Sequence, residues 1–278
     1  MARLFLKEEN ERNFISDGYL VLPLLSEAEV KQLTELFSEN YVSSEEGLVN
    51  FIRLESSEKR LALHFKIIEI VAPALNRYLK NYAFNVAHFI SKTHRNSTEF
   101  RLHQDWTIVE ESKYVSAQVW IALQHTNKTN GGLFLIKGSH RFFNNYRSGS
   151  CGIVFIDSTD DVKKHIIDIE LEAGEALFYH NSLFHGSYPN QSATDRIACL
   201  CGIRQANAPM RYYHKNSDNL IEEYNITTQQ LIEYLLLLEK GLVPDDMKPD
   251  LVQTHLYHQV DFDTHTFEKI LRKRYTMI

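Results

Sequence analysis

Between Tyr82 and Gln205 the chain breaks into short β-type runs separated by turn chemistry, and this texture constrains the fold more than any other feature. The runs are Phe84–Lys92, Phe100–Asp105, Val115–Gln124, Leu133–Ile136, Gly152–Ile156, His165–Leu171, Ala176–Tyr179 and Arg196–Arg204. Asn130-Gly131-Gly132, Lys137-Gly138-Ser139 and Ala173-Gly174-Glu175 punctuate them with residues that tolerate tight turns. Short strands at this density predict a double-sheet jelly roll or small barrel.

Helical patterning flanks this core. Ser26 and Glu29 form a capping box ahead of Val30, Leu33, Leu36 and Phe37 at helical spacing, and Gly18–Pro23 before it reads as a strand closed by proline. A second helix is predicted from about Ser57 to Lys80, with Leu61, Phe65, Ile68, Val71 and Leu75 on its apolar stripe and Pro73 as a kink. Thr227–Gln230 caps a helix through Lys240, and Thr266–Tyr275 reads as a last one. The chain is therefore expected to be mainly β with flanking α, one domain over 1–278: a mostly helical support over 1–81, the β-helix core over 82–205 and a helical cover over 206–278.

Composition narrows the partners. The net charge of −6 is spread without a basic block, which argues against nucleic acid and charged membrane surfaces and leaves a small molecule as the expected partner. Three cysteines, Cys151, Cys199 and Cys201, are too few for a disulfide framework, and no apolar run reaches the roughly 18 residues of a membrane span. A cytoplasmic protein is expected; nothing in the sequence specifies an oligomeric state.

The chemistry begins at Leu102-His103-Gln104-Asp105-Trp106. On a strand, residues i and i+2 share a face, so His103 and Asp105 converge on one point. Alone the pair is weak, since such spacing is common on ordinary surfaces. A third ligand is sought downstream, where His180 and His185 both occur; the Gly-Ser that follows His185 and its spacing to Arg196 favour His185. Two histidines and a carboxylate on one face of an octahedral ion leave three positions open, the arrangement of non-haem Fe(II) oxygenases. Arg196 offers a planar fork for the far carboxylate of 2-oxoglutarate.

These residues sit in longer stretches that resemble the phytanoyl-CoA dioxygenase family of Fe(II)/2-oxoglutarate-dependent oxygenases, and the likeness implies that family's fold, a cupin-like double-stranded β-helix. The likeness rests on His103–Trp106, on Trp120–Arg141, on Leu183–Arg196 and on the approach Phe14–Val30. It implies His103, Asp105 and His185 as iron ligands and Arg196, helped by the Ser187 hydroxyl, as the seat of the 2-oxoglutarate 5-carboxylate. Trp120 matches a family tryptophan near the cosubstrate, and Gln118 shares its face. The implied reaction uses O2 to hydroxylate a C–H bond while 2-oxoglutarate becomes succinate and CO2. Asp105 fills the position that related halogenases leave to chloride, so chlorination is not expected. Lys137-Gly138-Ser139-His140 departs from the family's Pro-Gly-Ser-His turn, and beyond Gln205 no likeness extends.

Plainer roles compete for several residues. Arg196 has an ordinary alternative in a surface ion pair with Asp195 or Glu175, and Lys92, on the face of His88, in a solvated strand end. His140 reads as a packing residue, and Cys199 and Cys201 as small apolar side chains behind the barrel wall. Trp106 is either core or the lip of a substrate mouth, and Arg211–Lys215 is best read as a solvated loop. A cupin-like hydrolase or isomerase, or a non-catalytic binding module on the same fold, are the functional rivals; neither requires an arginine and a serine arranged for a dicarboxylate.

Overall fold

The computed structural model describes residues 3–41, 47–53, 56–141, 146–152, 160–257 and 267. Two antiparallel sheets face each other. The larger has six strands in the order β1 (Tyr19–Pro23), β8 (Glu175–His180), β5 (Ser116–Ala122), β10 (Arg196–Gln205), β3 (Tyr82–Lys92) and β2 (Leu48–Asn50). The smaller runs β4 (Phe100–His103), β9 (His185–Ser187), β6 (Leu133–Ile136) and β7 (Ile166–Asp168). Neighbours in the sheets come from distant parts of the chain, as a jelly roll requires, and the molecule is mainly β with flanking helices.

Strand alternation sorts each residue to one of two cores. On β10, Cys199, Cys201 and Ile203 turn outward and meet Phe89 of β3 and Val119 and Ile121 of β5 under the helices. Two helices cover this face: α2 (Glu27–Asn40) with Leu33, Leu36 and Phe37, and α3 (Ser57–Leu75) with Leu63, Ile67, Val71 and Leu75. The cysteines are thus buried apolar side chains, as expected. The alternate residues Ala198 and Leu200, with Trp120, Leu133, Leu135, Leu177 and Tyr179, fill the space between the sheets. Burying an aliphatic or aromatic side chain of this kind stabilises the fold by about 1.5–3 kcal/mol.

The N-terminal support is mostly helical as expected, while the second helix and the tail differ from expectation. A helix α1 (Glu8–Asp17) precedes β1, ended by Gly18 in the left-handed conformation at φ 80°. Helix α3 stops at Leu75, two residues after Pro73, and its buried arc runs through Arg60, Leu63, His64, Ile67, Val71 and Ala74 while Phe65 is exposed. Apolar residues surround that helix on too wide an arc for periodicity alone to choose the buried side.

The segment after Gln205, expected to be helical, is largely a three-stranded antiparallel sheet, β11 (Arg211–Lys215), β12 (Leu220–Asn225) and β13 (Leu251–Leu256). A four-residue helix α4 (Asp160–Lys163) lies ahead of β7, and between β12 and β13 come α5 (Thr228–Leu238), opened by the anticipated Thr227 capping box, and a 3-10 helix over Asp245–Asp250. Arg211–Lys215 is therefore a strand, with Tyr212 and Tyr213 buried, and not a solvated loop. Arg60 ties the tail to the core by donating to the carbonyls of Ile232 and Glu233. The strand Gly152–Ile156 and the helix Thr266–Tyr275 fall mostly outside the described residues.

Candidate metal centre and carboxylate pocket

His103 ends β4 and His185 opens β9, and the two are direct cross-strand partners with ring centroids 4.3 Å apart. Side chains opposite each other in an antiparallel pair share a face, so register alone brings these rings together. Close approach here needs a small neighbour: a side chain on Gly186 would meet the Phe100 carbonyl oxygen at 2.6 Å.

Each ring donates from Nδ1 to the backbone carbonyl two residues earlier, His103 to Arg101 at 2.8 Å and His185 to Leu183 at 2.9 Å. That fixes the tautomer and leaves both Nε2 lone pairs facing Asp105, at 3.9 Å from Oδ1 and 3.8 Å from Oδ2. Burial drives both imidazoles down to about 4, so they are neutral at physiological pH, the form that ligates metal.

Asp105 lies beyond the end of β4, so strand alternation does not place it. Its amide donates to the Asn181 carbonyl at 2.9 Å, and its carbonyl accepts from Arg147 Nε at 2.6 Å. Burial pushes its carboxyl upward, opposed by His103, Arg147, Tyr179 and Gln118. Oδ2 is buried and accepts no hydrogen bond among the described residues. Such an orphan is expensive unless something outside the protein satisfies it. Potential ligand atoms of His103, Asp105 and His185 all lie within 4.8 Å of one another, and they are the only such group among the described residues. His180, the competing histidine, accepts from the Ser182 amide and packs on Phe14 and His140, away from this cluster.

The same cavity, about 200 Å³, runs from the triad to Arg196, with Trp106, Trp120, Tyr179 and Ser187 on its walls. Arg196 is 1% exposed and pairs with no carboxylate among the described residues, Asp195 being held instead by His94 and Tyr41. Its Nη2 donates to the carbonyl of Gly131, a turn residue at φ 86°, while Nε and Nη1 are buried without partners. The guanidinium lies 5.0 Å from the Trp120 ring centre. Burial brings it down to about 9.

Lys92, expected at a solvated strand end, is fully buried beside Arg196. Its ammonium donates to the Ser187 hydroxyl at 2.8 Å and carbonyl at 3.1 Å, and burial followed by repulsion from Arg196 lowers it to about 7. Because an ammonium only donates, the Ser187 oxygen must accept, which frees its hydrogen to point into the pocket. Gln118 lies beside Asp105 rather than on the cavity wall. Trp106 combines both of its readings, lining the cavity and packing on Tyr212 of the tail sheet at 6.1 Å.

A two-sheet roll with a His/Asp/His cluster at one end and two buried, anion-seeking cations beside it defines a jelly-roll protein with a candidate mononuclear metal site. The Phytanoyl-CoA dioxygenase (PhyH) family matches residues 14–198, and the chain belongs to that family. It is 32% identical over 99 residues to phytanoyl-CoA dioxygenase of Arabidopsis thaliana, covering 34% of this chain and 35% of that protein. It is 31% identical over 94 residues to the peroxisomal phytanoyl-CoA dioxygenase of Bos taurus, covering 32% and 28%. The alignments thus span about a third of the length of these curated relatives. The fold is shared with the epimerase SnoN, solved with Fe3+, alpha ketoglutarate and nogalamycin RO (TM-score 0.53, 19% identity, 74% of this chain and 86% of that one). It is shared also with the carbocyclase SnoK of nogalamycin biosynthesis (TM-score 0.51, 20% identity, 74% and 86%).

Proposed function

We propose that the chain is an Fe(II)- and 2-oxoglutarate-dependent oxygenase that hydroxylates a C–H bond of a small molecule. The observation that carries this reading is one cavity lined by an unsatisfied carboxylate oxygen between two neutral imidazoles and by a buried guanidinium that pairs with no carboxylate among the described residues, with a buried ammonium beside it. A metal hydrolase, or an isomerase that uses no keto-diacid, has no use for the second half of that arrangement.

His103 and His185 would hold the metal through Nε2 and Asp105 through its carboxylate. Bound there, iron supplies activation of O2 coupled to decarboxylation of 2-oxoglutarate to succinate and CO2. The protein's part is binding and orientation. Arg196 Nε and Nη1, Lys92 and the freed Ser187 hydrogen would receive the far carboxylate, and Trp120 would hold the guanidinium plane against rotation. Tyr179 and Gln118 would steady the Asp105 carboxylate. Leu48, Phe100 and Trp106 also line the cavity, and a target C–H bond would lie against these apolar side chains, which would keep water from it.

The test is succinate formation from 2-oxoglutarate with Fe(II) and ascorbate. Wild type is expected to release succinate and Asp105→Ala to release none; a wild type that neither binds nor turns over 2-oxoglutarate would end the proposal. Solved proteins of this fold include an epimerase and a carbocyclase, so mass analysis of the product, checking for one added oxygen, separates hydroxylation from those outcomes.

A further inference from the structure

We infer that Arg147 and Glu111 are a buried positioning pair that sets where the Asp105 carboxylate stands. This rests on the reading of Asp105 as a metal ligand. Strand β4 ends at His103, so the stretch Gln104–Thr107 has no ladder to fix it. Arg147 takes over that task from a distant loop. Its Nε donates to the Asp105 carbonyl at 2.6 Å, its amide donates to Thr107 Oγ1 at 3.1 Å, and its carbonyl accepts from the Thr107 amide at 2.9 Å. On the other side Asn181 holds the Asp105 amide through its carbonyl and the Trp106 carbonyl through its side chain at 3.1 Å. The ligand is gripped front and back.

Arg147 is wholly buried, and its Nη2 meets Glu111 Oε1 at 2.6 Å, with the glutamate side chain 7% exposed. A buried arginine is strongly destabilising without its partner, so Glu111 is what permits a guanidinium here. Holding one carbonyl does not by itself require a charge, since a serine or asparagine donor would do it. An ion pair adds rigidity: the planar fork engages the carbonyl with one edge and the carboxylate with another, and the angle between those contacts is fixed by the guanidinium itself. Neither Glu111 nor Arg147 lines the cavity that runs from the triad to Arg196, so their effect is on the ligand's placement and not on substrate contacts.

The experiment is Co(II) titration of the metal-free protein, followed by its ligand-field absorption, for wild type, Arg147→Lys and Glu111→Gln. Lysine keeps the charge but lacks the fork, and glutamine keeps the shape but lacks the charge. Both are expected to bind Co(II) about ten- to a hundredfold more weakly, with a shifted spectrum. Arg60→Met serves as the control for destabilisation alone, because Arg60 is buried and bridges α3 to α5 far from the triad; it is expected to lower Tm while leaving Co(II) affinity and spectrum as in wild type. Wild-type affinity and spectrum in Arg147→Lys and Glu111→Gln overturn the positioning role. If Arg147→Lys does not fold, Glu111→Gln decides alone. Failure of wild type to bind Co(II) overturns instead the metal-site reading on which the inference stands.

Discussion

At the scale of single residues, the site is an exercise in leaving groups unsatisfied in the right places. His103 and His185 spend Nδ1 on backbone carbonyls and turn Nε2 toward Asp105, while Arg196 spends one nitrogen on Gly131 and keeps two. Lys92 adds a second charge where most lysines would not be found. Removing it in Lys92→Met is expected to raise KM for 2-oxoglutarate by about ten- to a hundredfold, the worth of a hydrogen bond to a charged group, with a smaller change in kcat. Since burial brings the ammonium to about 7, wild-type affinity for 2-oxoglutarate should fall as pH rises above about 7 and the charge is lost. Initial-rate measurements across pH check this, and a pH-independent KM in that range, or an unchanged KM in the variant, contradicts it.

His103, Asp105, His185 and Arg196 were legible from residue type, order along the chain and the family likeness, although Asp105 lies past the end of β4 and irregular backbone, not the expected strand alternation, places it. Lys92 was not, although the alternation of β3 set it on the face of His88, since sequence does not tell whether a strand's last residue emerges into water or runs on beneath a neighbouring loop. Arg147 carried no signal, because its partners Asp105 and Glu111 are some forty residues away and meet it only through irregular backbone.

Among the elements, the β-core was readable because alternation and Gly-rich turns repeat together, and the caps of α2 and α5 because their chemistry is local. Thr227→Ala should cost about 1 kcal/mol in denaturant unfolding, since it removes the side-chain oxygen that accepts the Gln230 amide. No change in the midpoint would show that α5 is held by packing alone. The tail sheet was harder to read. Tyr212 and Tyr213 are adjacent and both buried, which erases the inside-outside alternation of β11. The available clue was Asn216–Asn219 between the runs Arg211–Lys215 and Leu220–Asn225, a turn in which Asn219 adopts φ 60°. For α3 the apolar residues outnumber those the core can bury, and tertiary contact with β3 and α5 selects the face.

Across the whole molecule, burial of histidine makes stability depend on pH. His64, His88, His103 and His185 are held down to about 4 and His180 to about 3, each chiefly by desolvation. Between about 4 and 6.5 the unfolded chain binds protons that the native rings refuse, so stability rises with pH through that window and is lost as pH falls through it. Thermal unfolding of the metal-free protein should therefore show Tm dropping steadily below pH 6.5; a flat Tm down to pH 4.5 would contradict the neutral, buried assignment of these rings.

The central claim, one cavity that holds a ferrous ion at one end and a keto-diacid's far carboxylate at the other, is tested most directly by anaerobic titration of the Fe(II)-loaded protein with 2-oxoglutarate, read by calorimetry. Saturable binding of a single 2-oxoglutarate per chain is expected, weakened about a hundredfold or more in Arg196→Met, which loses a charge-assisted bidentate contact. Absence of binding to wild type, or equal binding by Arg196→Met, would contradict the account.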